Sequence, residues 1–336
     1  MTILLILTLP FLTSLNTQSS SLILVQMIIR HAERAPINEF TSNSSSKFFA
    51  RGLGEISDIG INRAAEMGRS FRRRYRGLLN ENSTNEVFIR SSPVTRSLIS
   101  AVSFSNSFLG RPSNMPIPVI HTTQSELEEQ VLFFIESPIF RCRVLSKHNI
   151  TDSHCRSVRF IQNTNGLLSF ESLLKEKIVR SYPICSNFTY NSIEAALAEI
   201  EEPKLEMNEE LKKCARKYGK KITYQTLNIV AGVGSELDLS RAREAIGPLM
   251  AIIKKNVDDA MNENSKELFR IYYSHDQVIL ALSQALGIIS EFNGNSPEFS
   301  SAIVIELWRK KDGMEIKIIM KNGIKNHFKE VMRMSK

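Results

Sequence analysis

Long apolar runs are scarce in this chain. Beyond residue 20 no stretch is long and apolar enough to cross a bilayer as a helix, which argues against a helical membrane protein and for a soluble mature chain. Internal repeats are missing too, and biased composition is confined to the Ser/Asn-rich loop from Thr41 to Ser46. No nucleic-acid-binding motif is present. The formal charge is +8, yet the basic residues are scattered among acids. The one local cluster, Arg69, Arg72, Arg73, Arg74 and Arg76, reads as a solvated helix face, so no nucleic-acid partner is expected. A basic surface still steers anionic ligands. Cysteine is sparse. Cys142, Cys155, Cys185 and Cys214 allow at most two bridges, with three connectivities open.

What is present begins with an apolar core from Ile3 to Leu12, too short to span a membrane and followed by small polar residues from Thr13 to Ser21. This predicts a secretory signal peptide over residues 1–20, although no Lys or Arg precedes the core. Four sequons fit export: Asn43, Asn82, Asn149 and Asn187 each open an Asn-x-Ser/Thr triplet. A chain of 336 residues can bury a sizeable core, as one large domain or two smaller ones.

One heptapeptide stands out. Arg30-His31-Ala32-Glu33-Arg34-Ala35-Pro36 follows directly on the apolar run Leu22 to Ile29, so a strand delivers two guanidiniums and an imidazole to one rim. Arginine suits phosphate because its rigid fork matches two oxygens at once. Taken alone, the segment fits a solvated strand end equally well. A second segment argues against that. Phe269 to Tyr273 is β-branched and aromatic and leads into Ser274-His275-Asp276, after which Val278, Leu280, Ala281, Leu282, Ala285, Leu286 and Ile288 recur at helical spacing. His275 and Asp276 therefore stand at a strand's carboxyl end, where open α/β sheets bind ligands. In a third segment, Val87-Phe88-Ile89 runs into Arg90-Ser91-Ser92-Pro93, and Thr95-Arg96-Ser97 opens a helix.

Together these segments resemble the histidine acid phosphatases, a branch of the histidine phosphatase superfamily. Their signature is Arg-His-Gly-x-Arg-x-Pro with a distant His-Asp. The stretch Gly52 to Gly60, continuing through Met67-Gly68 to Arg76, resembles the family's Gly-rich loop and the basic helix after it, and Phe88 to Ser91 its second arginine segment. The resemblance implies that His31 is the nucleophile, that Asp276 protonates the leaving alcohol, and that Arg30, Arg34, Arg90 and His275 bind the phosphoryl oxygens. It implies hydrolysis of small-molecule or protein phosphate monoesters at acid pH, with no metal or other cofactor. It also implies a secreted or lysosomal-lumen location, and since animal relatives often pair, it leaves a homodimer open beside a monomer. The alternative is a secreted paralogue that binds phosphorylated ligands with little or no turnover. Two positions depart from the signature. Ala32 replaces its glycine, which costs about 1 kcal/mol if that position needs a positive φ, and Glu33 stands where aspartate is usual. Pro93 and Thr95 occupy places that are acidic in many relatives.

The fold expected is α/β: a three-layer sandwich with a mostly parallel mixed central sheet, helices on both faces, and an inserted, mainly helical cap. Ile303 to Trp308 and Glu315 to Met320 read as a hairpin turning at Lys-Asp-Gly313, an edge pair that makes the sheet mixed. Residues 21–129 and 231–336 are assigned to the catalytic core. Residues 130–230, with helical patterns such as Ile193 to Ile200 and Leu211 to Tyr218, are assigned to the cap. All four cysteines fall in this middle region, and Cys142–Cys155 reads as a local bridge.

Overall fold

The computed structural model describes residues 20–79, 86–110, 119–122, 150–151, 168–169, 178–200, 205–231 and 239–335. Residues 1–19 of the expected signal peptide, Asn82, Asn149, Cys142 and Cys155 lie outside these residues. In chain order the strands are β1 (Ser21–Arg30), β2 (Val87–Ser91), β3 (Ile150–Thr151), β4 (Leu168–Ser169), β5 (Phe269–Ser274), β6 (Ala302–Lys310), β7 (Gly313–Lys321) and β8 (Lys329–Ser335). Among the described residues, strands β3 and β4 pair with each other alone, and the rest form one sheet in the order β2-β5-β1-β6-β7-β8.

The two ladders among β2, β5 and β1 are parallel, and the three from β1 through β6 and β7 to β8 are antiparallel. The sheet is mixed, as the sequence leads one to expect. The β6–β7 hairpin is not at the edge, however. It pairs directly with the central strand β1, and β8 extends it outward. The turn residue Gly313 has φ 145, within the range that favours glycine.

Both faces of β1 are buried, which its unbroken apolar run requires. Val25, Met27 and Ile29 pack with Met67 and Phe71 of helix α2 (Asp58–Arg74) and Phe104 and Phe108 of α3 (Thr95–Leu109); the short helix α1 (Asn43–Phe48) precedes these two. On the opposite face, Ile28 and Ile303 meet helices described below. Two glycines set how closely α2 approaches its neighbours. A Cβ on Gly68 would lie 2.2 Å from the Phe104 carbonyl oxygen, and one on Gly60 2.1 Å from that of Glu33. Helix α2 thus lies with its backbone against both α3 and the loop after β1.

Between the two halves of the sheet sequence, the described part of the predicted cap is helical apart from the β3–β4 pair: α4 (Tyr190–Glu199), α5 (Glu209–Cys214), a π-helical turn at Ala215–Gly219, and α6 (Lys220–Ala231). Ile178, Val179, Ile193, Ala196, Leu211, Ala215 and Ile222 form a buried cluster of their own there. Cys185 and Cys214 are joined by a disulfide within it. Helix α7 (Leu239–Met261) and helix α8 (Asp276–Ala285) supply Leu249, Ile253, Ile279, Leu280 and Leu282 to the cluster around Ile28 and Ile303.

Candidate active site

Parallel pairing brings three strand ends level. Arg30 stands opposite Ser274, and Ser91 opposite Tyr273, so the next residues, His31, Ser92 and His275, emerge at one edge. The His31 N–H donates to Ser274 O at 2.9 Å, and Ser92 N–H to Tyr273 O at 3.1 Å.

His31 is 2% exposed. Its Nδ1 lies 2.8 Å from the Ala32 carbonyl oxygen. Since a carbonyl only accepts, Nδ1 carries the proton and Nε2 the lone pair. Arg96 Nε donates to that Nε2 at 3.3 Å. Burial, then the neighbouring His275, Arg96, Arg30 and Arg34, hold the imidazole well below its ordinary pKa. Both contacts fit the neutral ring, and burial disfavours the imidazolium.

His275 lies edge-on to His31, with ring centroids 5.1 Å apart, and its Nε2 is 3.2 Å from Ser92 Oγ. Burial and the same arginines also lower its pKa well below the usual histidine value. Asp276 opens α8. One carboxylate oxygen accepts from Gln277 N–H at 2.9 Å and the other from Arg30 NH2 at 2.7 Å. Arg30 also donates to Pro297 O at 2.5 Å and stacks 4.1 Å above the Phe299 ring. Arg34 donates through NH1 to Ala35 O at 3.0 Å and to Glu194 of α4 at 2.8 Å.

All of these groups border one cavity of about 410 Å³, lined by Arg30, His31, Arg34, Arg96, His275 and Asp276 among others. The Nε atoms of Arg30 and Arg34 are buried without a hydrogen-bond partner in the protein. A buried, unanswered guanidinium donor is costly, and two of them beside one imidazole fit an anion that accepts from both.

Arg90 is the exception among the predicted site residues, since it does not line this cavity. It sits within β2 rather than at its end, opposite Tyr272 on one side and bridged to His121 on the other. The strand runs one residue further, and the arginine that reaches His31 is Arg96, on the first turn of α3. The signal was available in the sequence: a helix that starts just past a strand end points its first turn at the same rim.

The two departures from the signature are accommodated. Ala32 is not among the described non-glycine residues with positive φ, so it bears no left-handed penalty. Its methyl is buried against Ile56 and Ala64, and its N–H donates to Ser100 Oγ at 3.0 Å. Glu33 pairs with Arg63 at 2.6 Å. Of the sequon asparagines, Asn43 and Asn187 are exposed. Thr189, the third residue of the second triplet, caps α4 by accepting from Ser192 N–H.

A family model described as the histidine phosphatase superfamily (branch 2) matches residues 21–321, and the chain belongs to that family. It is 27% identical over 322 residues to a lysosomal acid phosphatase of Xenopus laevis, covering 88% of this chain and 68% of that one. It is 24% identical over 344 residues to prostatic acid phosphatase of Rattus norvegicus, covering 95% and 85%. Among solved structures, a Bifidobacterium longum multiple inositol polyphosphate phosphatase in complex with inositol hexasulfate aligns with TM-score 0.62 at 10% identity, covering 94% and 88%. A Klebsiella phytase aligns with TM-score 0.59 at 14% identity over the same shares. At those identities the structural likeness speaks for the fold.

Proposed function

We propose that this protein is an exported acid phosphatase that hydrolyses phosphate monoesters through a phosphohistidine at His31. The observation that carries the reading is the buried neutral imidazole, whose lone-pair nitrogen faces Arg96 in a cavity where Arg30 and Arg34 hold unanswered Nε–H donors. The His31 Nε2 lone pair attacks phosphorus, the P–O bond to the leaving group breaks, and Asp276 gives its proton to the departing oxygen. Water then attacks the phosphohistidine, returns a proton to Asp276, and phosphate leaves. Arg30, Arg34, Arg96 and His275 answer the charge spread over the three equatorial oxygens. Losing one such fork costs about 1.5–3 kcal/mol, or roughly tenfold to a hundredfold in rate. Burial disfavours the His31 imidazolium, so acid takes the nucleophile's lone pair less readily than that of an exposed histidine.

The helical segment supports the role of a cap, since Tyr190, Glu194, Leu197 and Leu227 form one wall of the cavity. Export is supported by the Cys185–Cys214 bridge, which needs an oxidising compartment, and by the exposed sequon at Asn187. The test is hydrolysis of a chromogenic phosphate ester between about pH 4 and 6. Turnover that vanishes in His31→Ala is expected. Phosphate binding with no turnover would instead mark a ligand-binding paralogue.

A further inference from the structure

Helix α4 is not part of the sandwich, yet it places two buried carboxylates on the chain that leaves β1. Glu194 accepts from Arg34 NH1 at 2.8 Å through one oxygen and from the Ile37 N–H at 3.1 Å through the other. Five residues on, Glu199 accepts from Thr41 N–H at 3.0 Å, from Ser45 Oγ at 2.6 Å and from the Thr41 hydroxyl. Between them Asn38 donates to Asn191 at 2.9 Å and Ser192 to Glu39 at 2.8 Å. A buried carboxylate is tolerated only when its lone pairs are answered. Here residues 34–45 supply the answering donors for both, so helix and loop are tied together at two points.

The two carboxylates do different things. Among the described residues Glu199 is hydrogen-bonded by Thr41 and Ser45, whereas Glu194 holds a phosphate-binding guanidinium and borders the cavity. Arg34 gives NH1 to Ala35 O and to Glu194, while its buried Nε has no protein acceptor. Two acceptors on NH1 restrain the planar fork, so its free edge is held toward one aim. We propose that Glu194 is a positioning residue for phosphate capture, acting through Arg34. This rests on the phosphatase reading of the cavity and adds to it a control exerted from the helical segment.

Two substitutions separate position from charge. Glu194→Asp keeps the charge but withdraws the carboxylate by one methylene, and Glu194→Gln removes the charge and the acceptor for the Ile37 N–H but keeps an acceptor for NH1. On the purified full chain, calorimetric titration with inorganic phosphate should show Kd rising about tenfold in Glu194→Asp and staying within about twofold of wild type in Glu194→Gln. The KM for an aryl phosphate should follow the same order. In an Arg34→Ala background, Glu194→Asp should add nothing further. Glu199→Gln, which loosens the same loop without touching Arg34, should lower Tm and leave Kd unchanged. The inference is overturned if Gln is the worse substitution, if Asp leaves Kd unchanged, if the losses add in the Arg34→Ala background, or if Glu199→Gln raises Kd as much as Glu194→Asp. Wild-type protein that binds phosphate without hydrolysing it defeats the hydrolase reading alone; failure to bind phosphate at all defeats both.

Discussion

His31 shows how far a single side chain is specified by its neighbours. Its tautomer is set by the Ala32 carbonyl, its lone pair is met by Arg96, and its neutrality comes from burial first and surrounding cations second. Arg96→Ala should therefore cut kcat/KM by roughly tenfold to a hundredfold, while Arg90→Ala should leave it within about threefold. Steady-state rates on one ester decide between them, and equal losses would restore the strand-end arginine to the site. Asp276→Asn should slow esters with poor leaving groups far more than aryl esters, because only the former need the proton. Equal slowing would remove Asp276 as the acid. Arg30, His31, Arg34, His275 and Asp276 were all legible in the sequence because each sits beside a strand end announced by an apolar run. Arg96 was visible as a residue but not as a ligand. Its role depends on where a helix begins, and element boundaries are what periodicity locates least well. Glu194 could not be found at all, since 160 residues separate it from Arg34 and only the fold joins them.

Among the secondary-structure elements, α2 does more than cover the sheet. Gly60 lets it rest against the Glu33 backbone, and Gly68 lets it rest against α3. Gly60→Ala would press a methyl into the loop that carries Arg34. It should destabilise the fold by about 1–3 kcal/mol, seen as a lower Tm, and reduce kcat/KM as well. Unchanged melting and rate would show that the contact is slack. Turn chemistry identified the hairpin at Gly313, whereas the Gly-rich stretch and the helix after it were recognised through the family resemblance. The sequence pattern did not reveal β8, whose residues are mostly exposed and so lack the alternation that marks a half-buried strand. Nor did it show that β6 lies against β1, since strand order is a long-range choice. The basic cluster on α2 is only partly a solvated face: Arg74 pairs with the buried Glu306 at 2.9 Å, and Arg72 donates to Phe108 O at 3.1 Å.

Taken as one folded unit, the protein balances stability against the needs of its cavity. The unfolded chain protonates its histidines near pH 6.5, whereas folded His31 and His275 resist protonation well below that. The folded state then binds fewer protons, so the stability tied to these two rings is complete above about pH 6.5 and is lost as pH falls. The loss is at most about 1.4 kcal/mol per pH unit for each ring. Thermal melting should show Tm dropping from pH 7 to pH 5, less steeply in His31→Asn, with added phosphate narrowing the gap by binding only the folded form. A His31→Asn slope equal to wild type would contradict that assignment. The most direct test of the central claim is covalent. Protein turning over an isotopically labelled phosphate ester is quenched in alkali, where phosphohistidine survives, and the labelled peptide is sequenced by mass spectrometry. The account predicts phosphate on His31, absent after an acid quench; steady turnover with the label on another residue, or on none, would contradict it.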